Sequence, residues 1–180
     1  AVMVWRWTAT TGTTEDDGPV DTGHGDRLPT SFAVRGSVGY WGSVLAIAAS
    51  ATLFASLVFG GVMDACPDLR ICFSHGGGYT CYGIGRMDRG WEVRPEARVN
   101  IQKPPSEYLR SFYYDCLTHS EPSLRYLIDT VGADRVVLGT DWPADMMLDW
   151  PVAWVLRMDS LTTEEKEAIL WKNLEGLLNI

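Results

Sequence analysis

Two polar residues stand where apolar runs stop. His75 directly follows "RICFS", and Asp141 directly follows "RVVLGT" inside the turn "GTDWP". Both runs read as short strands of near-continuous apolar character, the pattern of parallel strands covered on both faces. In parallel α/β folds ligands gather beyond the carboxyl ends of the strands. The two residues lie 66 positions apart, about two βα units at roughly 30 residues each, so both are expected on one rim. An imidazole and a carboxylate meeting there can hold a divalent cation together. Alternatively the carboxylate binds metal while the imidazole moves a proton. Each also has a plainer use: a hydrogen-bonded structural histidine, and an aspartate that caps the turn before a proline.

Three glycines, Gly76, Gly77 and Gly78, follow the histidine. They free the backbone for positive φ and are expected to leave open space beside the ring for a water or a substrate. A bare tight turn needs one glycine or two. Arg86 stands eleven positions beyond His75. It can present a planar fork to a substrate carboxylate, or pair on the surface with Asp88 or Glu92. Trp142 is placed to line a pocket beside Asp141, whereas Trp91, Trp150, Trp154 and Trp171 read as packing. His24 and His119 are weaker candidates for metal.

The elements that must position these residues alternate. "TLFASLVFGGVMDAC" reads as a helix, Pro67-Asp68 as a turn and "LRICFS" as a strand. A second strand falls at Ser111 to Asp115, then "SLRYLIDTVGADR" forms an amphipathic helix closed by Gly132, and "RVVLG" is the third strand. Thr162 and Glu165 form a capping-box pair at the head of a packing helix that carries Ile169, Leu170, Leu174, Leu177 and Leu178 on one face. Residues 8 to about 43, rich in Gly, Thr, Ser and Asp, show neither period and are expected to be irregular.

The bulk numbers fit one globular domain: 180 residues, 46% hydrophobic, with a net charge of −8 from 15 basic and 23 acidic residues. No Lys/Arg stripe exists to neutralise phosphates, so nucleic acid is not an expected partner. Cys66, Cys72, Cys81 and Cys116 form no C-x-x-C pair, and no signal-peptide pattern opens the chain, which points to reduced thiols in the cytoplasm. Cys72 is expected to be a small buried hydrophobe. Residues 36–63 carry no charge and are long enough to cross a bilayer, but their Ala, Ser, Gly and Thr content favours a soluble helix buried on several sides.

The segments "FGGVMDACPDLRICFSHGGGYTCYGIGR", "YLRSFYYDCLTH" and "LIDTVGADRVVLGTDWP" resemble the amidohydrolase-related metal-dependent decarboxylases, most closely those of the aminocarboxymuconate-semialdehyde decarboxylase type. The resemblance covers about residues 51–180, and the closing helix "KEAILWKNLEGLL" belongs to it. It implies an α/β fold, part of a (β/α)8 TIM barrel comprising about the last four strands. Residues 1–50 match poorly and are expected to hold one strand at 1–5. The implied activity is nonoxidative carboxy-lyase chemistry on an unsaturated or aromatic carboxylic acid, with one divalent metal, usually zinc. Asp141 would then ligate the metal, His75 would act as acid/base, and Arg86 would hold a substrate carboxylate, typically across a homodimer interface. A metal-dependent hydrolase on the same fold and an inactive remnant are the competing expectations.

The chain also departs from the pattern. The family's H-x-H-like pair on the first strand is absent, and Trp5 stands where a middle-strand histidine would follow "AVMV". A truncated form of the barrel is therefore expected, with Asp141 the single family ligand present.

Overall fold

The computed structural model describes residues 20–21, 27–28, 38–142, 144 and 146–179. The strand expected at 1–5 and His24 lie outside the described residues. Two short strands, β1 (Val20–Asp21) and β2 (Arg27–Leu28), pair antiparallel. Helix α1 (Val38–Phe59) follows, so the stretch expected to be irregular to about residue 43 is helical from Val38. Its Gly, Tyr and Ser content is poor in helix propensity, yet tertiary context overrides such weak preferences. Among the described residues no helix is long and apolar enough to cross a membrane.

The helix expected over 52–66 is broken. Gly61 takes φ +74°, ending α1 and starting the short α2 (Val62–Ala65), and the Asn100 side-chain amide donates to the freed Phe59 carbonyl at 3.0 Å. The chain then enters β3 (Cys72–Phe73), α3 (Thr80–Val93), β4 (Tyr113–Asp115), α4 (Glu121–Val131) and β5 (Val136–Val137). The order β3-β4-β5 is parallel throughout, with Phe73 opposite Tyr114 and Asp115 opposite Val137. Parallel strands joined by crossover helices are the unit of an α/β barrel. The described residues contain three such strands; of the about four expected, the remaining one is the strand at 1–5, outside the described residues.

Burial explains the alternation along β3. Phe73 faces the core, where its ring lies 5.0 Å from Phe112, which in turn lies 5.2 Å from Phe54 of α1. Cys72 points to the opposite face and is exposed, contrary to expectation, because successive strand residues alternate. Helix α4 buries Leu124, Leu127, Ile128 and Val131 in the same core. The Ser120 hydroxyl caps its start and Gly132, at φ +91°, follows its end.

At the carboxyl end of the chain come α5 (Pro151–Leu156), α6 (Thr163–Glu167) and α7 (Asn173–Leu178). The expected capping box is formed, with the Glu165 amide donating to Thr162 Oγ1 at 3.2 Å and the Thr162 amide donating to Glu165 Oε2 at 2.9 Å. A π-helical turn, Ala168–Lys172, separates α6 from α7. One extra residue per turn rotates the apolar face. Ile169 is consequently buried while Leu178 is exposed, so the five apolar residues expected on one face do not share it.

A groove of about 520 Å³ opens at the amino ends of the strands, lined in part by Arg70, Arg110, Tyr113 and Arg135. Its arginines are engaged by the fold. Arg70 donates to the Leu177 carbonyl at 2.7 Å, Arg110 to the Val131 carbonyl at 2.6 Å and to both oxygens of Asp134, and Arg135 to the Tyr113 hydroxyl at 3.1 Å.

Candidate active site

The carboxyl ends of β3, β4 and β5 form the opposite rim, where the backbone is unusual. Of the four described non-glycine residues with positive φ, three stand just beyond these strands: His75 at +55°, His119 at +52° and Asp141 at +60°. Such conformations cost roughly 1–3 kcal/mol each and cluster at functional sites. His75 leaves the extended Ser74 and opens a turn in which Gly76, Gly77 and Gly78 also take positive φ, at +59°, +75° and +57°. The Gly77 amide donates to the Ser74 carbonyl at 3.0 Å and the Gly78 amide to the His75 carbonyl at 2.9 Å.

The glycines are required, though not for open space at the first two positions. A Cβ at Gly76 would lie 2.9 Å from Thr118 Cγ2, and one at Gly77 would lie 2.7 Å from the Tyr114 ring. The turn is pressed against β4 and the loop after it. Positive φ accounts for all three, and close approach adds to it at Gly76 and Gly77.

Beyond β5, the turn carrying Asp141 is closed without its carboxylate. The Ala144 amide donates to the Asp141 carbonyl at 2.8 Å, the Trp142 amide to Thr140 Oγ1 at 3.2 Å, and the Leu148 amide to the Thr140 carbonyl at 3.0 Å. Among the described residues neither the Asp141 carboxylate nor the His75 ring has a hydrogen-bond or ion-pair partner; the turn-capping and structural-histidine alternatives each need one. Both side chains are partly exposed. Because β4 lies between β3 and β5, their rim positions are two strand spacings apart, about 9–10 Å.

Arg86 is likewise unpaired among the described residues. Its two expected partners are occupied: Glu92 pairs with Arg89 at 2.9 Å, and Asp88 accepts the Ser106 amide at 2.9 Å. Arg86 is the seventh residue of α3, about 9 Å along the axis from Thr80, and is exposed on a helix leading away from the rim. Trp142 is 76% exposed and stands in solvent beside Asp141. His119, at the rim beyond β4, is exposed.

One rim residue escaped the sequence reading. Asp115, the last residue of β4, is 8% exposed, and its Oδ1 accepts the amides of Gly76 at 2.9 Å and Leu117 at 3.0 Å. Its thiol neighbours are not nucleophiles. Cys72 is exposed as a residue but its sulfur is part-buried, and that desolvation pushes its thiol up to about 11, with the Asp115 charge adding to it; burial does the same for Cys116 despite an opposing backbone hydrogen bond at Gly139. Both are protonated near neutrality. Among the described residues no group of three His, Cys, Asp or Glu side chains could hold a metal ion. A structural or catalytic zinc ordinarily takes at least three protein ligands, so the described residues do not complete a site for it.

The amidohydrolase family profile matches residues 18–180, beginning well before residue 51. The chain is 38% identical over 126 residues to the 2-amino-3-carboxymuconate-6-semialdehyde decarboxylase of Dictyostelium discoideum, an alignment covering 69% of this chain and 35% of that protein. It is 33% identical over 132 residues to the Caenorhabditis elegans enzyme of the same name, covering 73% and 33%. The chain thus spans about a third of the length of these relatives. Among solved structures, a dihydroxybenzoic acid decarboxylase from Polaromonas sp. JS666, with bound manganese and the inhibitor 2-nitroresorcinol, superposes with a TM-score of 0.63 at 24% identity. That match covers 72% of this chain and 39% of the other, and it establishes likeness of fold.

Proposed function

The chain belongs to the amidohydrolase family, and from that premise we propose that it serves metal-dependent, nonoxidative decarboxylation of an unsaturated or aromatic carboxylic acid. The observation that carries this reading is the shared rim: His75 and Asp141 stand beyond parallel strands with strained backbones and with side chains unpartnered among the described residues. The names of the relatives, and the manganese and phenolic inhibitor in the Polaromonas structure, support it.

One divalent ion, zinc by the sequence resemblance or manganese by analogy with that structure, is the cofactor of this reading. Asp141 is the described carboxylate placed to contribute to it. Further donors would have to come from outside the described residues, since those present build no three-ligand cluster.

The chemistry of the described side chains is proton transfer and binding. As the C–C bond to the carboxylate breaks, its electron pair remains on the substrate carbon and CO2 departs. His75, acting as the general acid, gives that carbon its proton. Arg86, unpaired among the described residues and well along α3, suits the carboxylate of a substrate bound by a second copy of the chain, which makes a homodimer the working assembly. Trp142 offers an aromatic wall beside Asp141. Four free cysteines and the absence of a membrane-crossing helix among the described residues accord with a cytoplasmic setting.

Hydrolysis is the competing chemistry, because the same imidazole and carboxylate would serve attack by water. Assay of the zinc- or manganese-loaded protein against aromatic and unsaturated acids, amides and lactones separates the two. Stoichiometric CO2 release from an acid is the expected result; amide or lactone cleavage without CO2 release would replace decarboxylation by hydrolysis.

A further inference from the structure

Asp115 lies between the two turns that carry the rim residues. We propose that it is a positioning residue, whose carboxylate fixes the turn bearing His75 and seats the turn bearing Asp141. The proposal rests on the site reading above, but its geometry is independent of turnover. On one side, Asp115 Oδ1 accepts the Gly76 amide at 2.9 Å across 39 residues of chain. Gly76 adjoins His75, so this bond holds the peptide that links His75 to the glycine turn. The other bonds holding the turn, from the Gly77 and Gly78 amides, are local. The bond to Asp115 is the long-range one, anchoring the left-handed histidine to the neighbouring strand.

On the other side, Gly139, two residues before Asp141, packs directly on the same carboxylate: a Cβ there would lie 2.8 Å from Asp115 Cβ and 3.1 Å from Asp115 Cγ. Asp115 itself is held in place. Its Oδ1 also accepts the Leu117 amide two residues on, an Asx-type closure that sets the side-chain rotamer. A single buried oxygen therefore binds the β3 turn to the β4 turn, while the carbon skeleton of Asp115 buttresses the β5 turn. Displacing it would alter the distance between His75 and Asp141 without removing either group, and small misplacements of reacting groups are costly to rate.

The test compares the full chain with Asp115→Ala, Asp115→Ser and Asp115→Asn by NMR. The serine hydroxyl can still close the local turn on Leu117 but falls short of Gly76, whereas asparagine keeps the Oδ1 acceptor and loses the charge. In the alanine and serine variants the Gly76 amide should exchange at least about tenfold faster, while α4 amides keep their protection. The His75 ring resonances should move and those of His119 should not. Asparagine should restore both readouts to near wild type. If alanine does not fold, serine decides by the same readouts. Unchanged Gly76 exchange and His75 resonances, or a loss of protection spread equally over α4, would overturn the proposal. In the metal-loaded protein the serine variant should lower kcat with KM within about threefold. Absence of decarboxylation in wild type would remove the functional reading and leave the NMR comparison to judge Asp115.

Discussion

The two ends of the three-stranded sheet both carry ionisable side chains and treat them in opposite ways. At the amino ends Arg70, Arg110 and Arg135 are each committed to a carbonyl, a carboxylate or a hydroxyl of the fold. At the carboxyl ends His75 and Asp141 sit on positive-φ backbone and lend their side chains to nothing among the described residues. Satisfied charges tie helix ends to strands and contribute stability. Polar side chains without a partner among the described residues, held on a strained backbone, contribute nothing to stability, which is why that rim, rather than the groove at the amino ends, is the place to look for chemistry.

That contrast can be broken most decisively at Asp141. Asp141→Ala should bring the divalent metal content of the zinc-loaded protein below about one-tenth equivalent by elemental analysis, given how few ligands a site can lose, with the Tm of the metal-free protein unchanged. Retained metal would move the ligand elsewhere. Next in size, Gly77→Ala should destabilise by roughly 2–4 kcal/mol in urea unfolding, because the new methyl meets the Tyr114 ring at a φ of +75°. An unchanged midpoint would show that the turn is not pressed against β4.

Substitution at the opposite end should sharpen the contrast. Arg110→Ala removes the bonds to the Val131 carbonyl and to Asp134. It should cost about 1 kcal/mol, since the ion pair is half exposed, and leave metal content and turnover unchanged. A large loss of turnover would erase the distinction between the two ends.

The smallest effect is a pH dependence remote from both. The Arg125 guanidinium, bonded to Glu165 at 2.9 Å, holds that carboxyl below its ordinary value. A depressed folded-state pKa contributes stability above the unfolded carboxylate value, lost as pH falls through the folded one. Tm should therefore decline on acidification below about pH 4.5, and Arg125→Met should reduce that decline. An identical pH profile in the variant would assign the acid sensitivity to other carboxylates.

What the sequence made legible was local. The apolar runs ending at His75 and Asp141, the Thr162–Glu165 capping box and the helix stop at Gly132 depend on residues within a few positions of one another, and each stands where its pattern placed it. Asp115 was invisible because its meaning depends on Gly76 and Gly139, which reach it only through strand pairing. Read along the chain, "YYDC" is simply an aspartate ending an apolar run. The glycines after His75 were half legible: positive φ follows from composition, whereas the press of Thr118 and Tyr114 against them is tertiary. The π turn within 168–172 rotates the last apolar residues off a common face, and no propensity marks it.

The working pair is tested most directly by turnover of the metal-loaded His75→Ala protein, with metal content measured on the same sample. Loss of a positioned proton donor should lower CO2 release by roughly 10²–10⁴-fold while the metal stays bound. CO2 release within threefold of wild type would contradict the role given to the imidazole at this rim.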